Sequence, residues 1–365
     1  MSFRCSALAA TFTFGLAGFA SAADLPVKSN PPPDQPFFFV VDNRATVSWM
    51  PNGTDPGMFT VGPNGAIDPT TAKLGFSLTH FDAWAYGTNL VSISMFKAGH
   101  NDPASPCINA GLTSNLTPGN CAGQTEFYGL VRSTFGWNEI FNTKAFTIGP
   151  LRNVSFEVGA DGQNSNTFLA PAKRDVVAGL QFAFDLPYKG YVNIAPLAFW
   201  EFSNHNAFTQ CGSAFAPGPV AGFSCNADGN VSLRPTWAVE VNYYLDLGFL
   251  PPSLQYFSIS GRAGWYGPKG DKRGLPAFSG LGRFSTATAT EFNSEPIRLT
   301  FDASKAMMGP KYSHLVDLWV AYRYWQNKYG MDHSAMPGVC TIAATGQSTK
   351  SCTESTVYSG VTVKF

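Results

Sequence analysis

Alternation with a period of two runs through most of the chain. After Asp175, residues Val176, Ala178, Leu180, Phe182 and Phe184 fall on one side; Asp175, Gly179, Gln181 and Asp185 fall on the other. From Thr236, residues Trp237, Val239, Val241, Tyr243 and Leu245 alternate with Thr236, Ala238, Glu240, Asn242 and Tyr244. From Ser258, residues Ile259, Gly261, Ala263 and Trp265 alternate with Ser258, Ser260, Arg262 and Gly264. Successive strand side chains point to opposite faces, so each segment reads as a strand with one apolar and one polar face. Runs of about ten residues with aromatic ends suit a strand between lipid and water. Soluble sandwiches alternate too, but their strands are usually about 5–6 residues long. Beyond the first 23 residues no stretch approaches 18 consecutive apolar residues, so no transmembrane helix is expected.

The pattern predicts twelve strands, starting near Phe38, Lys73, Leu90, Thr125, Val154, Arg174, Tyr191, Val231, Leu254, Glu291, His314 and Ser355. Long connections fall at about 50–71, 99–123, 160–173, 205–230, 266–290 and 328–354, and short ones at 86–89, 135–146, 187–190, 248–253 and 304–313. Long and short alternate, as external loops and periplasmic turns do. The expected fold is all-β: a monomeric, transmembrane antiparallel β-barrel of 12 strands. The last strand places Val357, Val361, Val363 and the terminal Phe365 on one face. An amphipathic carboxy-terminal strand ending in Phe resembles the assembly signal of bacterial outer-membrane barrels. It implies the barrel-assembly machinery and the outer-membrane bilayer as partners.

The amino terminus changes the compartment. One Arg, an apolar stretch from Ala7 to Phe19 and Ala20-Ser21-Ala22 form a secretory signal peptide over 1–23. Residues 24–36 are a Pro-rich tether, and 37–365 form the barrel. Six cysteines remain outside the leader, in local pairs: Cys107 with Cys121, Cys211 with Cys225, and Cys340 with Cys352. In an oxidising compartment this spacing predicts three disulfides. All three fall in long connections, on the external side. A metal site is not expected, because there is no C-x-x-C and the His residues do not cluster with Cys.

Composition narrows the function. Lys+Arg and Asp+Glu are both 24, so the net charge is zero and no broad basic surface exists to bind a nucleic-acid polymer. Charged residues are 13% of the chain, about half the usual share of roughly 25%. Few charges and 14% aromatics argue against disorder. Twelve strands lie between the eight that side chains can fill and the 16–18 that leave a wide channel, so a narrow lined pore is expected. Its predicted lining is His80, Asp82, Tyr128, Arg132, Asp175, Gln181, Glu240, Asn242, Arg262, Arg298, Asp302, Trp319, Arg323 and Trp325. Both charge signs occur, so strong ion selectivity is not indicated. Many of these charges would pair across the lumen and brace the wall. No phosphate-binding Gly loop or other cofactor motif is present, and no cofactor is expected.

The stretch from Phe146 to Asn206 contains F-x-x-G-P-L, G-L-x-x-x-x-D-L-P and N-x-x-x-x-x-x-W. With Leu318 to Tyr329 (LWVAYRYWQNKY) and Leu130 to Thr134 (LVRST), it resembles the Tsx family of nucleoside-specific outer-membrane channels. The resemblance implies a monomeric twelve-strand barrel with a keyhole-like lumen. It also implies weak nucleoside sites built from aromatic and ionisable side chains. Passage of small polar solutes, nucleosides first, is the expected function. A general porin and a structural or receptor barrel are the alternatives. An enzyme is not expected, since His80 with Asp82 is the one candidate pair and no inward Ser accompanies it.

Overall fold

The computed structural model describes residues 36–99, 102–103, 123–166, 172–205, 230–270, 277–278, 282–283, 288–335, 339–342 and 344–365. A compact unit spans Phe37–Phe365. The expected leader (1–23) and tether (24–36) lie outside the described residues, apart from Pro36.

Twelve long strands build the unit. They are β1 (Phe38–Thr54), β2 (Thr70–Trp84), β3 (Gly87–Ala98), β4 (Thr125–Gly136), β5 (Leu151–Ser165), β6 (Ala172–Leu186), β7 (Gly190–His205), β8 (Thr236–Asp246), β9 (Phe257–Tyr266), β10 (Glu291–Asp302), β11 (Val316–Gln326) and β12 (Thr353–Lys364). Each pairs antiparallel with the next, and β12 pairs with β1 through Arg44↔Lys364 to Trp49↔Ser359, so the sheet closes on itself. Closure occurs within one chain and leaves no strand edge. Hydrocarbon tolerates only such a sheet, because it cannot hydrogen-bond free N–H and C=O groups.

The outer face is apolar. Trp49, Leu78, Ile93, Phe127, Trp237, Ile297 and Val357 are exposed there. At the end with the short turns, Trp84 meets Phe37, Tyr86 and Phe135 at ring distances of 5.7, 5.3 and 6.1 Å. These rings form part of an aromatic girdle at the membrane–water boundary. The inner face is polar, with Asp161, Lys173, Asp175, Glu201 and Glu354 all buried.

Strands β1, β4 and β10 begin where the alternation predicts, at Phe38, Thr125 and Glu291. Strand β8 begins at Thr236 rather than Val231; Asn230 and Val231 pair instead with the end of β7. The connection expected at 160–173 is shorter, because β5 runs on to Ser165 and β6 starts at Ala172. The sequence Ala160-Asp161-Gly162-Gln163-Asn164-Ser165 is loop-like in composition. Inside a barrel its polar side chains find partners, as Asp161 does with Arg132, so polarity does not end the strand.

Two glycines make room for lumen side chains. A Cβ on Gly360 would lie 2.4 Å from Cζ2 of Trp319. A Cβ on Gly159 would lie 2.6 Å from Cδ of Arg132 and 2.5 Å from the Val131 carbonyl oxygen. Strand glycines commonly mark such close approaches.

Candidate functional site

The inward faces of the strands bring ionisable side chains together in three groups. At mid-height, Arg132 on β4 reaches across to β8. Its Nη1 and Nη2 donate to Asp161 at 2.7 and 3.0 Å. Its Nη2 and Nε donate to Glu240 at 2.7 and 3.1 Å. Glu157 lies 3.8 Å away and accepts from Gln181 at 2.7 Å. Tyr266 adds a hydroxyl bond to Glu240 at 3.0 Å. The Arg132–Glu240 contact is a chord, with β5–β7 on one side and the other seven strands on the wider side.

A second group lies nearer the external end. Lys269 is fully buried and sits 2.6 Å from Glu201 and 3.6 Å from Glu291. Trp325 donates to Glu291 at 2.9 Å. Lys173 and Asp175 pair at 3.3 Å.

The third group surrounds a small cavity at the external mouth, with room for a water molecule or two rather than for a whole solute. Phe96, Trp325 and Tyr329 supply its rings; Lys73, Arg323, Lys328, Glu126 and Glu354 supply its charges. Lys73 bridges Asp55 and Glu126 at 3.0 and 3.1 Å. Lys328 donates to Glu354 and to the Thr54 carbonyl, both at 2.8 Å. Arg323 Nε lies 2.6 Å from Glu354 Oε1, out of line for a hydrogen bond, so both atoms lack an in-line partner. Burial would raise Asp55, but the adjacent Lys73 ammonium holds its carboxyl below the ordinary value. Burial pulls Lys328 down despite the Glu354 carboxylate beside it, and pushes the Tyr329 hydroxyl well up.

The connection from β11 to β12 folds over this mouth. Trp325, Tyr329, Met331, Val339, Cys340 and Cys352 form a buried cluster. Gln163 of β5 donates to the Tyr329 hydroxyl across the opening. Cys340 and Cys352 form a disulfide with Cα atoms 5.4 Å apart. The other expected pairs, Cys107–Cys121 and Cys211–Cys225, lie outside the described residues. The cross-link closes a short loop, for which a stabilisation of about 2–4 kcal/mol is typical. Cys340→Ser/Cys352→Ser is expected to leave the barrel folded, speed proteolysis within 328–352 and raise single-channel conductance. Unchanged proteolysis and conductance would show that the loop is held without the bond.

The predicted lining residues share the inward face, with two exceptions. His80 and Asp82 follow Leu74, Phe76 and Leu78 on the outer face of β2, and the β1–β2 and β2–β3 registers run unbroken through them. Their polarity suggested the lumen, whereas the strand's parity puts them outside. Asn242 accepts from Asn193 at 3.0 Å. Asp302 receives the backbone N–H groups of Lys305 and His314 at 2.8 Å each, so it fastens the β10–β11 turn. Tyr128 faces inward on β4, between Glu126 and Arg132. Trp319 and Trp325 are buried and their faces are occupied. The Arg298 guanidinium lies 4.0 Å above Trp319, and Lys328 lies 4.7 Å above Trp325. Arg298 also pairs with Glu295 at 2.6 Å.

Arg262 differs from the others. It sits on the inward face of β9 in register with Glu295, is exposed, and has no ion pair or hydrogen bond among the described residues. A smaller, water-sized cavity lies at the periplasmic end, lined in part by Tyr244, Asp246, Asp302 and His314. Sequence reasoning missed Lys269, Lys328 and Tyr329, which sit in connections that carry no periodic signal. Lys73 and Glu354 were accessible to it, since both continue an alternating strand face.

No family model and no curated protein matches the chain. Solved structures give weak likenesses. An outer membrane channel from Pseudomonas putida aligns at TM-score 0.39 and 9% identity, over 92% of this chain and 100% of that one. Outer membrane phospholipase A from Escherichia coli aligns at 0.36 and 9%, over 89% and 95%. The outer membrane protein opdK from Pseudomonas aeruginosa aligns at 0.29 and 9%, over 90% and 100%. Scores of this size carry no argument about activity, and none of these three is described as a nucleoside-specific channel. The nucleoside-channel resemblance therefore rests on the quoted motifs alone. The closed antiparallel wall, its apolar outside and its aromatic girdle make the chain a twelve-strand β-barrel of the outer membrane.

Proposed function

We propose that the barrel is a channel through which small polar solutes cross the outer membrane, nucleosides first. The observation that carries the reading is Arg262. A guanidinium with five donors, without an ion pair or hydrogen bond among the described residues, stands in the lumen between a small aromatic and charged cavity at the external mouth and a polar one at the periplasmic end. Solute affinities from millimolar to micromolar, about −4 to −8 kcal/mol, allow both entry and release. Tyr128, Arg262, Arg298, Arg323 and Trp325 are the side chains a solute would meet, with Asp175, Gln181, Glu240 and Asn242 bracing or lining the route. Export and assembly belong to the same reading: 1–23 as a cleaved leader, and Phe365 as the end of the strand that the assembly machinery receives.

One observation favours passage without base recognition. The Trp319 and Trp325 faces are covered by Arg298 and Lys328, so a base would have to displace a cation to stack there. Liposome swelling separates the readings. Adenosine and thymidine are expected to pass faster than a sugar of equal size. Equal rates would leave a general channel, and no swelling with any solute would leave a structural or receptor barrel.

A further inference from the structure

Five polar side chains form one hydrogen-bonded chain on the outer face of four adjacent strands. Asn43 Oδ1 lies 2.7 Å from His80 Nδ1, and His80 Nε2 lies 3.1 Å from Asp82 Oδ2. Asn89 Nδ2 donates to Asp82 Oδ1 at 2.8 Å, and Ser133 Oγ donates to Asn89 Oδ1 at 2.7 Å. The chain joins β1, β2, β3 and β4.

Its surroundings are apolar on both sides. Toward the periplasm, the next outward residues are Val41 below Asn43, Trp84 below Asp82 and Phe135 below Ser133. Toward the membrane centre they are Ala45, Leu78, Val91 and Val131, with Val47 and Ile93 exposed one row further on. Two residues of strand span about 7 Å, so Asp82 lies one outward row inside the aromatic girdle. The group is thus an island within the lipid-facing wall and not part of its watery rim. Ionisable side chains at such a position are costly and mark functional sites.

We propose that this island binds one phospholipid of the periplasmic leaflet through a phosphoethanolamine headgroup. The chemistry fits that headgroup at both charges. Asp82 is 4% exposed, and among the described residues no Lys or Arg pairs with it. Its negative charge therefore suits a lipid ammonium. Among the described residues the Asn43 amide nitrogen has no partner, and the His80 side chain is 41% exposed. The Asn43 amide can turn its donors toward phosphate oxygens, while both His80 ring nitrogens stay engaged with Asn43 and Asp82 and hold the group in place. The occupant follows from the location, because acyl chains already cover the surrounding wall.

Native mass spectrometry of the detergent-purified full chain, with added phosphatidylethanolamine or phosphatidylglycerol, tests this. The wild type is expected to retain one phosphatidylethanolamine. His80→Leu/Asp82→Leu removes both members of the pair together and is expected to need about tenfold more lipid for the same occupancy. Tyr243→Leu, outward on the far wall, is expected to bind as the wild type does. Equal retention by wild type and double variant would overturn the proposal, as would equal retention of both lipids. A detergent-stable dimer lost in the double variant would also overturn it, by assigning the island to a protein contact. If the double variant does not fold, a photoreactive headgroup analogue applied to the wild type decides. Labelling concentrated on β1–β4 supports the site, and labelling spread evenly around the barrel refutes it.

Discussion

Replacing Arg132 by Ala is expected to destabilise the barrel by about 3–5 kcal/mol, the range for removing one partner of a buried ion pair. Arg132 is 7% exposed and holds Asp161 and Glu240 through four hydrogen bonds, with Glu157 close by. Without it three carboxylates would face one another in a confined lumen. The cost comes from this stranded charge rather than from the worth of the lost contacts. Arg132→Leu/Asp161→Leu/Glu240→Leu removes the pairing charges together and is expected to recover most of the loss. Urea unfolding of the vesicle-inserted barrel checks both statements. A change under 0.5 kcal/mol in Arg132→Ala would mean that lumen water already solvates the group.

Arg262→Gln is expected to do the opposite: stability unchanged, permeation changed. Among the described residues the guanidinium gives up no hydrogen bond or ion pair, so the loss should stay within about 0.5 kcal/mol, as at ordinary exposed positions. For an ion passing about 6 Å away at an effective dielectric of about 20, one unit charge is worth about 2.8 kcal/mol. Even half of that is a factor of ten. The anion-to-cation permeability ratio, read from the reversal potential across a KCl gradient, should fall about tenfold. An unchanged ratio would place the ionic route away from β9.

These two arginines show how far residue pattern reaches. Parity alone put Arg132, Arg262, Arg298 and Arg323 on the inward face, and closure of the sheet follows from an even strand number with no tolerated edge. Parity does not say which inward charges meet. Glu240 was legible as a lumen residue, but its contact with Arg132 depends on barrel diameter and strand stagger, which no local pattern encodes. His80 and Asp82 show the converse. Their alternation with Leu78 was readable, yet their polarity outweighed it, because an outward carboxylate in a lipid-facing wall is costly without a partner such as the His80–Asn89 bridge provides. The external cavity was half visible. Arg323 and Trp325 sit on a periodic strand, whereas Lys328 and Tyr329 are brought in by a loop whose path is held by packing and by Cys340–Cys352.

Single-channel recording of the purified full-length barrel in a planar bilayer tests the central claim most directly. Discrete, narrow conductance steps that external adenosine reduces are the predicted result. A reconstituted, detergent-dependent barrel that passes no current and no solute would contradict it, leaving the Arg132 chord as the tie of a closed wall.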